Sequence, residues 1–195
     1  MTNLIYDYET LDTDVVTLPV LSIATMRYEP ERFTTNPYTF QELLDATKFF
    51  KFDVAEQVKT YKRKINLETV AWWEALPAAV RNTQLVPNPG VDQSITNLIG
   101  IIKNEAAGVT RVFTRGNTFD PMITTAWAKQ LGYPEPHNFW TVRDTRSFIE
   151  GLSYGSDIKN SFMPDGLGKK FKKHDPEHDI VVDVLRMQQL IIAIS

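Results

Sequence analysis

The sequence predicts an α/β domain, because short strands rich in Val, Ile, Leu and Thr alternate along it with segments of helical periodicity. Its 195 residues are 43% hydrophobic and 23% charged, which is sufficient for one core and a polar surface. It contains no internal repeat and no long low-complexity linker. We therefore predict a single domain over residues 1–195.

The first half of the chain carries the clearest strand signals. Residues 3–9 and 18–28 are rich in β-branched and other apolar side chains, which favour extended backbone. We also expect Tyr38 to Phe40 to form a short third strand. Helical spacing then follows in two segments, Val54 to Tyr61 and Asn66 to Leu76.

In the second half, apolar residues three or four apart and terminal glycines define the elements. Gly108 and Gly132 each follow a periodic segment, as glycine often does at helix C-termini. Residues 154–174 are rich in Gly, Ser, Asp and Lys, which predicts a long loop. The other predicted elements are helices at Val91 to Ala106, about Thr118 to Leu131, Asp144 to Leu152 and about Asp179 to Ile194, and a strand at Thr110 to Thr114.

The composition excludes several classes of protein. The absence of cysteine excludes disulfides, thiolate zinc sites and cysteine nucleophiles. A net charge of −3 does not suit a protein that coats duplex DNA by bulk electrostatics. We see no apolar run of membrane-spanning length and no signal peptide, so we expect a cytoplasmic protein without a membrane partner. Two basic runs, Lys59–Lys64 and Lys169–Lys173, are either phosphate contacts or solvated surface.

Two acidic residues end the first strand. Asp7 and Glu9 are two residues apart, so in a strand their side chains point to the same face. Neighbouring carboxylates repel each other and are costly to remove from water, which favours a divalent cation between them. The alternative is a strand that ends in a polar loop, with both acids in water.

Further candidates lie at the starts of two helices. Asp120 follows a short strand and precedes Pro121, so it is either a helix cap or a functional acid. His178 and Asp183 are five residues apart, about 140° around a regular helix, so we expect the histidine on the preceding loop or first turn. His174 is a similar histidine nearby, and it too precedes an aspartate. The alternative for either histidine is an exposed loop residue.

Taken in chain order, Asp7, Glu9, Asp120, His178 and Asp183 resemble the DEDDh group of 3′→5′ exonucleases, which have a ribonuclease H-like fold. The resemblance covers nearly the whole chain and is closest to the phage exodeoxyribonuclease A (DexA) family. It implies a central mixed five-stranded sheet flanked by helices. Many DEDDh members have Ala where this chain has Ile180. The segments that match locally are Thr69–Trp73, Arg115–Asp120, Phe139–Asp144 and His174–Asp179.

The resemblance implies hydrolysis of the terminal phosphodiester from the 3′ end, with single-stranded DNA as the expected substrate and nucleoside 5′-monophosphates as products. Asp7 would bridge two divalent ions, Mg²⁺ or Mn²⁺, with Glu9, Asp120 and Asp183 as further ligands. His178 would be the general base. Two alternatives stay open: the same chemistry on RNA or short oligoribonucleotides, and a catalytically silent module that only binds nucleic acid.

The expected partner is a nucleic acid with a free 3′ end, in the host cytoplasm if a phage encodes the chain. No oligomeric state is predicted, and we expect no long tail after the last helix. Trp72 and Trp73 are candidate stacking residues, although adjacent positions on a helix point about 100° apart, so one of them belongs to the core. The expected substrate contacts are Thr10, Leu11, Arg115, Asn117, Phe119, Trp73 and Arg143, with Arg146 as a further phosphate contact.

Overall fold

A five-stranded sheet forms the centre of the protein, in the order β3-β2-β1-β4-β5. Residues 1–195 are described by a computed structural model, apart from the side chain of Lys169. That side chain was part of the predicted basic run and lies outside the described residues. The strands are β1 (Asn3–Thr10), β2 (Val20–Tyr28), β3 (Lys48–Lys51), β4 (Arg111–Thr114) and β5 (Val142–Asp144).

Strand directions in the sheet are mixed, as predicted. β2 pairs antiparallel with both β1 and β3, whereas β4 pairs parallel with both β1 and β5. The carboxyl ends of β1, β4 and β5 therefore lie at one edge of the sheet. This edge holds the end of β1 and the loops that follow β4 and β5.

Helices cover both faces of the sheet. In chain order they are α1 (Arg32–Thr35), α2 (Phe40–Asp45), α3 (Val54–Tyr61), α4 (Leu67–Glu74), α5 (Ala78–Leu85), α6 (Leu98–Ala106), α7 (Asp120–Leu131), α8 (Thr145–Leu152) and α9 (Pro176–Ile194). Within the described part of the chain, no helix combines the length and apolar character needed to span a bilayer.

The alternation of β1 divides the core into two layers. Leu4, Tyr6 and Tyr8 pack on one face of the sheet against α6 and α7. Ile5 faces the opposite side, where it packs with buried apolar residues of α8 and α9. Because Asp7 and Glu9 continue the Ile5 face, they point towards the α9 side of the sheet.

The predicted third strand is wrong. Thr39 is instead the N-cap of α2, where its hydroxyl accepts a hydrogen bond from the backbone N–H of Glu42 and the Glu42 carboxylate accepts one from the Thr39 N–H. This capping box satisfies backbone donors that a strand would have paired. The third strand lies later, at Lys48–Lys51, where it covers the outer edge of β2.

Other differences from the prediction concern additional elements and the ends of helices. α5 and β5 were not predicted as separate elements. The segment predicted as a helix from Val91 becomes helical only at Ile95, as a 3₁₀ turn that leads into α6. α9 begins at Pro176, where the ring suits the first helical turn, and so His178 and Asp179 both lie inside the helix.

Trp73 lies at the junction of α4 with the end of β1. It is 1% exposed, and its indole Nε1–H donates to the Thr10 carbonyl oxygen at 2.9 Å. Its neighbour Trp72 is 44% exposed. Trp73 is therefore the tryptophan that belongs to the core, as the 100° separation of adjacent helix positions requires.

We expect Trp73→Ala to lower the free energy of unfolding by about 3–5 kcal/mol, because it leaves a cavity and removes a buried hydrogen bond. Trp72→Ala should cost about 1 kcal/mol, because that side chain is already partly in water. Denaturant titration of both variants measures the difference. Equal losses would mean that Trp73 does not anchor α4 to β1.

Candidate active site

Three carboxylates meet at the carboxyl edge of the sheet. Asp7, Glu9 and Asp179 each offer an oxygen, and these atoms lie within 4.8 Å of one another. Asp7 and Glu9 reach this point because β1 turns alternate side chains to one face. Asp179 reaches it from the first turn of α9, which packs across the same face of the sheet.

Asp120 lies beside this carboxylate cluster. It is the first residue of α7 and is 2% exposed. Its Oδ1 accepts a hydrogen bond from the Tyr8 backbone N–H at 3.2 Å, which ties the start of α7 to β1 between Asp7 and Glu9. Asp120 therefore does more than begin a helix, since its charge faces the other acids.

The environment disfavours ionisation of all four acids. Burial, followed by the charges of Asp120 and Glu9, raises the pKa of Asp7 well above its ordinary value. Burial and the charge of Asp179 raise the pKa of Glu9 in the same way. The pKa of Asp120 rises to about 7 through burial, and that of Asp179 to about 7 through burial and the charge of Asp183.

This donor set fits a divalent metal ion. Its carboxylate oxygens converge from two elements, and hard divalent cations take such ligands. A bound cation would also remove the electrostatic cost that raises these pKa values. Of the four predicted metal ligands, Asp7 and Glu9 lie in this carboxylate cluster and Asp120 lies beside it.

Asp183 lies outside the cluster, which corrects the position expected from the sequence. Its side chain is 2% exposed, and cations occupy Oδ1: Arg115 Nη1 at 2.5 Å and Arg186 Nη1 at 2.7 Å. The Thr145 hydroxyl donates to Oδ2 at 2.5 Å. The reason is geometric, since Asp183 is one turn deeper along α9 than Asp179. Asp183 therefore joins α9 to β4 and α8.

His178 lies in the first turn of α9, where the spacing of five residues to Asp183 predicted it. Adjacent helix positions point about 100° apart, so its ring does not share the direction of Asp179. Its ring is 5% exposed, with ring centroids of Phe40 and Phe171 at 5.4 and 6.3 Å. Its Nδ1 accepts a hydrogen bond from the Lys172 N–H at 3.3 Å.

His174 is the second histidine near the start of α9. It precedes α9 with a left-handed φ of 64°, and its ring meets the edge of Trp72 at a centroid distance of 4.7 Å. Burial lowers the pKa of His174, which favours the neutral imidazole that can accept a proton. The sequence contained the signal for this pair, because His174 and Asp179 have the same spacing as His178 and Asp183.

A cavity of about 400 Å³ opens next to the carboxylates. Its lining residues include Glu9 and Thr10 from β1, Trp72 from α4 and Phe119 from the turn before α7. Trp73 also lines it, but its indole N–H is already bonded to Thr10. The cavity therefore presents aromatic surface close to a cluster of acids.

The remaining predicted substrate contacts do not line the cavity beside Glu9. Leu11 follows Thr10 but lines a different cavity, and Asn117 is exposed on the turn between β4 and α7. Arg115 is held by Asp183. Arg143 donates to the carbonyls of Trp140 and Val142.

Comparison with known proteins identifies the family of this chain. Residues 2–179 match the family described as the 3′-5′ exoribonuclease Rv2179c-like domain. The chain belongs to this family. The predicted kinship with DEDDh, ribonuclease H-like exonucleases is thereby confirmed.

Individual relatives agree with this family. The chain is 24% identical over 216 aligned residues to the exodeoxyribonuclease of Enterobacteria phage T4, and the match covers 96% of this chain and 88% of the phage protein. E. coli exonuclease I in complex with an oligonucleotide superposes with a TM-score of 0.64 at 15% identity, covering all of this chain and 40% of that one. A product-bound exonuclease I gives 0.63 at 15% identity, covering 98% of this chain and 43% of that one. The chain spans about two fifths of the exonuclease I chains, and this likeness confirms the predicted fold class.

The raised pKa values in this Rv2179c-like domain predict a pH-dependent cost to stability. Protonated Asp7 is favoured in the folded state, so the cost of ionising it appears as pH rises above about 4, the ordinary pKa of the unfolded group. Asp7→Asn resembles the neutral acid. We expect it to raise the melting temperature relative to the parent protein at pH 8, and to change it little at pH 4.

Thermal denaturation in the presence of a chelator measures this difference. Asp12→Asn, on the loop after β1, serves as a control that removes one acid outside the cluster. A parent protein that is more stable than Asp7→Asn at pH 8 without metal would contradict the assigned repulsion.

Proposed function

We propose that this chain is a metal-dependent 3′→5′ exonuclease that hydrolyses the terminal phosphodiester of single-stranded DNA and releases nucleoside 5′-monophosphates. The observation that carries the proposal is the convergence of Asp7, Glu9 and Asp179 beside a cavity with aromatic walls. The family, the T4 exodeoxyribonuclease and the fold shared with exonuclease I support it. The similarity to a phage protein also favours action in a host cytoplasm.

Asp7, Glu9, Asp120 and Asp179 would hold the metal ions, with Mg²⁺ or Mn²⁺ as the expected species because all four ligands are carboxylates. When bound at these carboxylates, two such ions would supply positive charge to neutralise the phosphodiester, acidify a water molecule and stabilise the leaving 3′ oxygen. Asp179 takes the place first given to Asp183, whose two oxygens are already occupied by cationic and hydroxyl donors. The family match, which ends at residue 179, includes Asp179 and leaves out Asp183.

His174 would be the general base. It precedes Asp179 by five residues and lies against Trp72, which lines the cavity together with Glu9. Its lowered pKa keeps the imidazole neutral near pH 7, so that it can take the proton from the attacking water. His178 cannot serve as readily, because its Nδ1 is bonded and its ring is enclosed by Phe40 and Phe171.

The cavity would receive the 3′-terminal nucleotide. Phe119 and Trp72 can contact a base, and aromatic stacking of this kind is worth about 1–3 kcal/mol per base. The backbone at Thr10 lies next to Glu9, where a terminal sugar would be placed. Lys172 and Lys173 are exposed next to His174 and would attract the phosphate backbone.

Hydrolysis of RNA is the second candidate, because the family is described as a 3′-5′ exoribonuclease domain. The chemistry would be the same, and only contacts to the 2′-hydroxyl would distinguish the two substrates. The closeness to the T4 exodeoxyribonuclease along nearly the full chain leads us to place DNA first.

A substrate panel tests the proposal. We expect Mg²⁺ or Mn²⁺ to support stepwise shortening of 5′-labelled single-stranded DNA from its 3′ end, and excess EDTA to stop it. Matched RNA and duplex DNA oligomers should be degraded more slowly. Faster degradation of RNA would select the second candidate, and metal-dependent binding of all strands without turnover would show a silent module.

Paired substitutions test the assignment of the histidines and aspartates. His174→Ala should lower kcat by about 10²–10⁴-fold, because it removes the general base but leaves the metal ligands. His178→Ala should leave kcat within a few-fold of the parent value in protein that remains folded. The reverse ranking would restore His178 as the base.

The same logic applies to the two aspartates of α9. Asp179→Asn should abolish turnover and weaken Mn²⁺ binding, while the fold persists. Asp183→Asn should instead lower the free energy of unfolding by about 3–5 kcal/mol, because it breaks a buried ion pair. Calorimetric titration with Mn²⁺ separates these effects, and loss of metal binding only in Asp183→Asn would contradict our assignment.

A further inference from the structure

A second cavity, of about 680 Å³, lies between β3, α3 and α5. Its volume is within the range of small-molecule sites. Among the described residues, it shares no lining residue with the cavity beside Glu9. Its walls are mainly apolar, and they include Leu21, Val54, Val58, Leu85 and Pro87.

A buried ammonium group lines this second cavity. The Lys51 side chain is 9% exposed, and its Nζ donates to the Val86 carbonyl oxygen. Burial lowers the pKa of Lys51, and the charge of Asp92 opposes that shift. An ammonium has three N–H donors, so the bond to Val86 leaves Lys51 with donors for a ligand.

Asp92 also lines this cavity, and its carboxylate lies opposite the Lys51 ammonium. The Asp92 side chain is 8% exposed, and its Oδ2 accepts from the Asn88 backbone N–H at 2.8 Å. Its Oδ1 is buried and has no hydrogen-bond partner among the described residues; it lies 4.0 Å from Lys51 Nζ, too far for a direct bond. A buried acceptor without a donor is costly, so this oxygen would gain from a ligand N–H.

We propose that this second cavity binds a nucleobase, carried by a nucleoside or mononucleotide. A nucleobase has apolar faces for the cavity walls and an edge on which an N–H donor stands next to an acceptor atom. The donor would bond to Asp92 Oδ1 and the acceptor to Lys51 Nζ. The proposal does not depend on the proposed function, because neither residue belongs to the acidic site.

Exposed residues that line the second cavity can contact the sugar and phosphate of a nucleoside or mononucleotide. Lys59 lines the cavity and is exposed, so its ammonium can approach a 5′-phosphate. Val58 and Ile65 are partly exposed apolar residues on the same cavity and can cover a sugar face. A purely apolar ligand would leave Asp92 Oδ1 without a donor and would therefore bind less well than a base.

Uridine and 3-methyluridine provide a matched pair of probes, because the methyl group removes only the N3–H donor. With metal-free protein, we expect uridine to shift the methyl NMR signals of Val54, Val58 and Leu85. 3-Methyluridine should bind at least about tenfold more weakly, since it cannot donate to Asp92. Equal binding of both probes, or no shift at these methyl groups with either, would overturn the proposal.

Substitutions locate the site. Asp92→Asn keeps an oxygen for the Asn88 N–H but loses the carboxylate, and Lys51→Met keeps the aliphatic stem but loses the ammonium. Each should weaken uridine binding by about tenfold in protein whose melting temperature shows that it is folded. Trp72→Ala, in the cavity beside Glu9, should leave uridine binding unchanged. Loss of binding only in Trp72→Ala would assign uridine to the acidic site and overturn the proposal.

Discussion

The repulsion among closely spaced carboxylates at the carboxyl edge of the sheet is the constraint on which the rest of this structure depends. Asp7, Glu9 and Asp179 bring oxygens within 4.8 Å of one another, and Asp120 adds a fourth acid beside them. Such an arrangement opposes folding unless protons or cations compensate it. The strands and helices around it must therefore hold the acids in place against their mutual repulsion.

Two anchors provide that resistance. The Tyr8 N–H bonds to Asp120 and fixes the start of α7 against β1. Asp183, with Arg115 and Arg186, fixes α9 against β4 one turn below Asp179. Breaking a buried pair of this kind is costly, so Asp183 stabilises the position of the acidic site without contributing an oxygen to it.

The two cavities near the end of β1 differ in the chemistry of their lining residues. The cavity beside Glu9 is bordered by acids and aromatic rings, which suits a metal-assisted reaction on a phosphate with a stacked base. The second cavity pairs a buried ammonium with a buried carboxylate between apolar walls, which suits recognition of a neutral heterocycle. Leu11 follows directly after the acidic end of β1 and lines the second cavity, so the two sites are close in sequence.

The sequence by itself determined the fold class, the central strand with Asp7 and Glu9, and Asp120 at the start of α7, because alternation, apolar periodicity and helix-start residues are local signals. It also contained two overlapping pairs with the same His-to-Asp spacing, and nothing local distinguishes them. Only the tertiary structure shows which aspartate of the two pairs lies beside Asp7 and Glu9. The start of α9 at Pro176 and its packing on the sheet turn Asp179 towards β1, while Asp183 meets Arg115, the residue directly after β4. The choice depends on which residues are neighbours across distant segments, and such neighbours are set by packing.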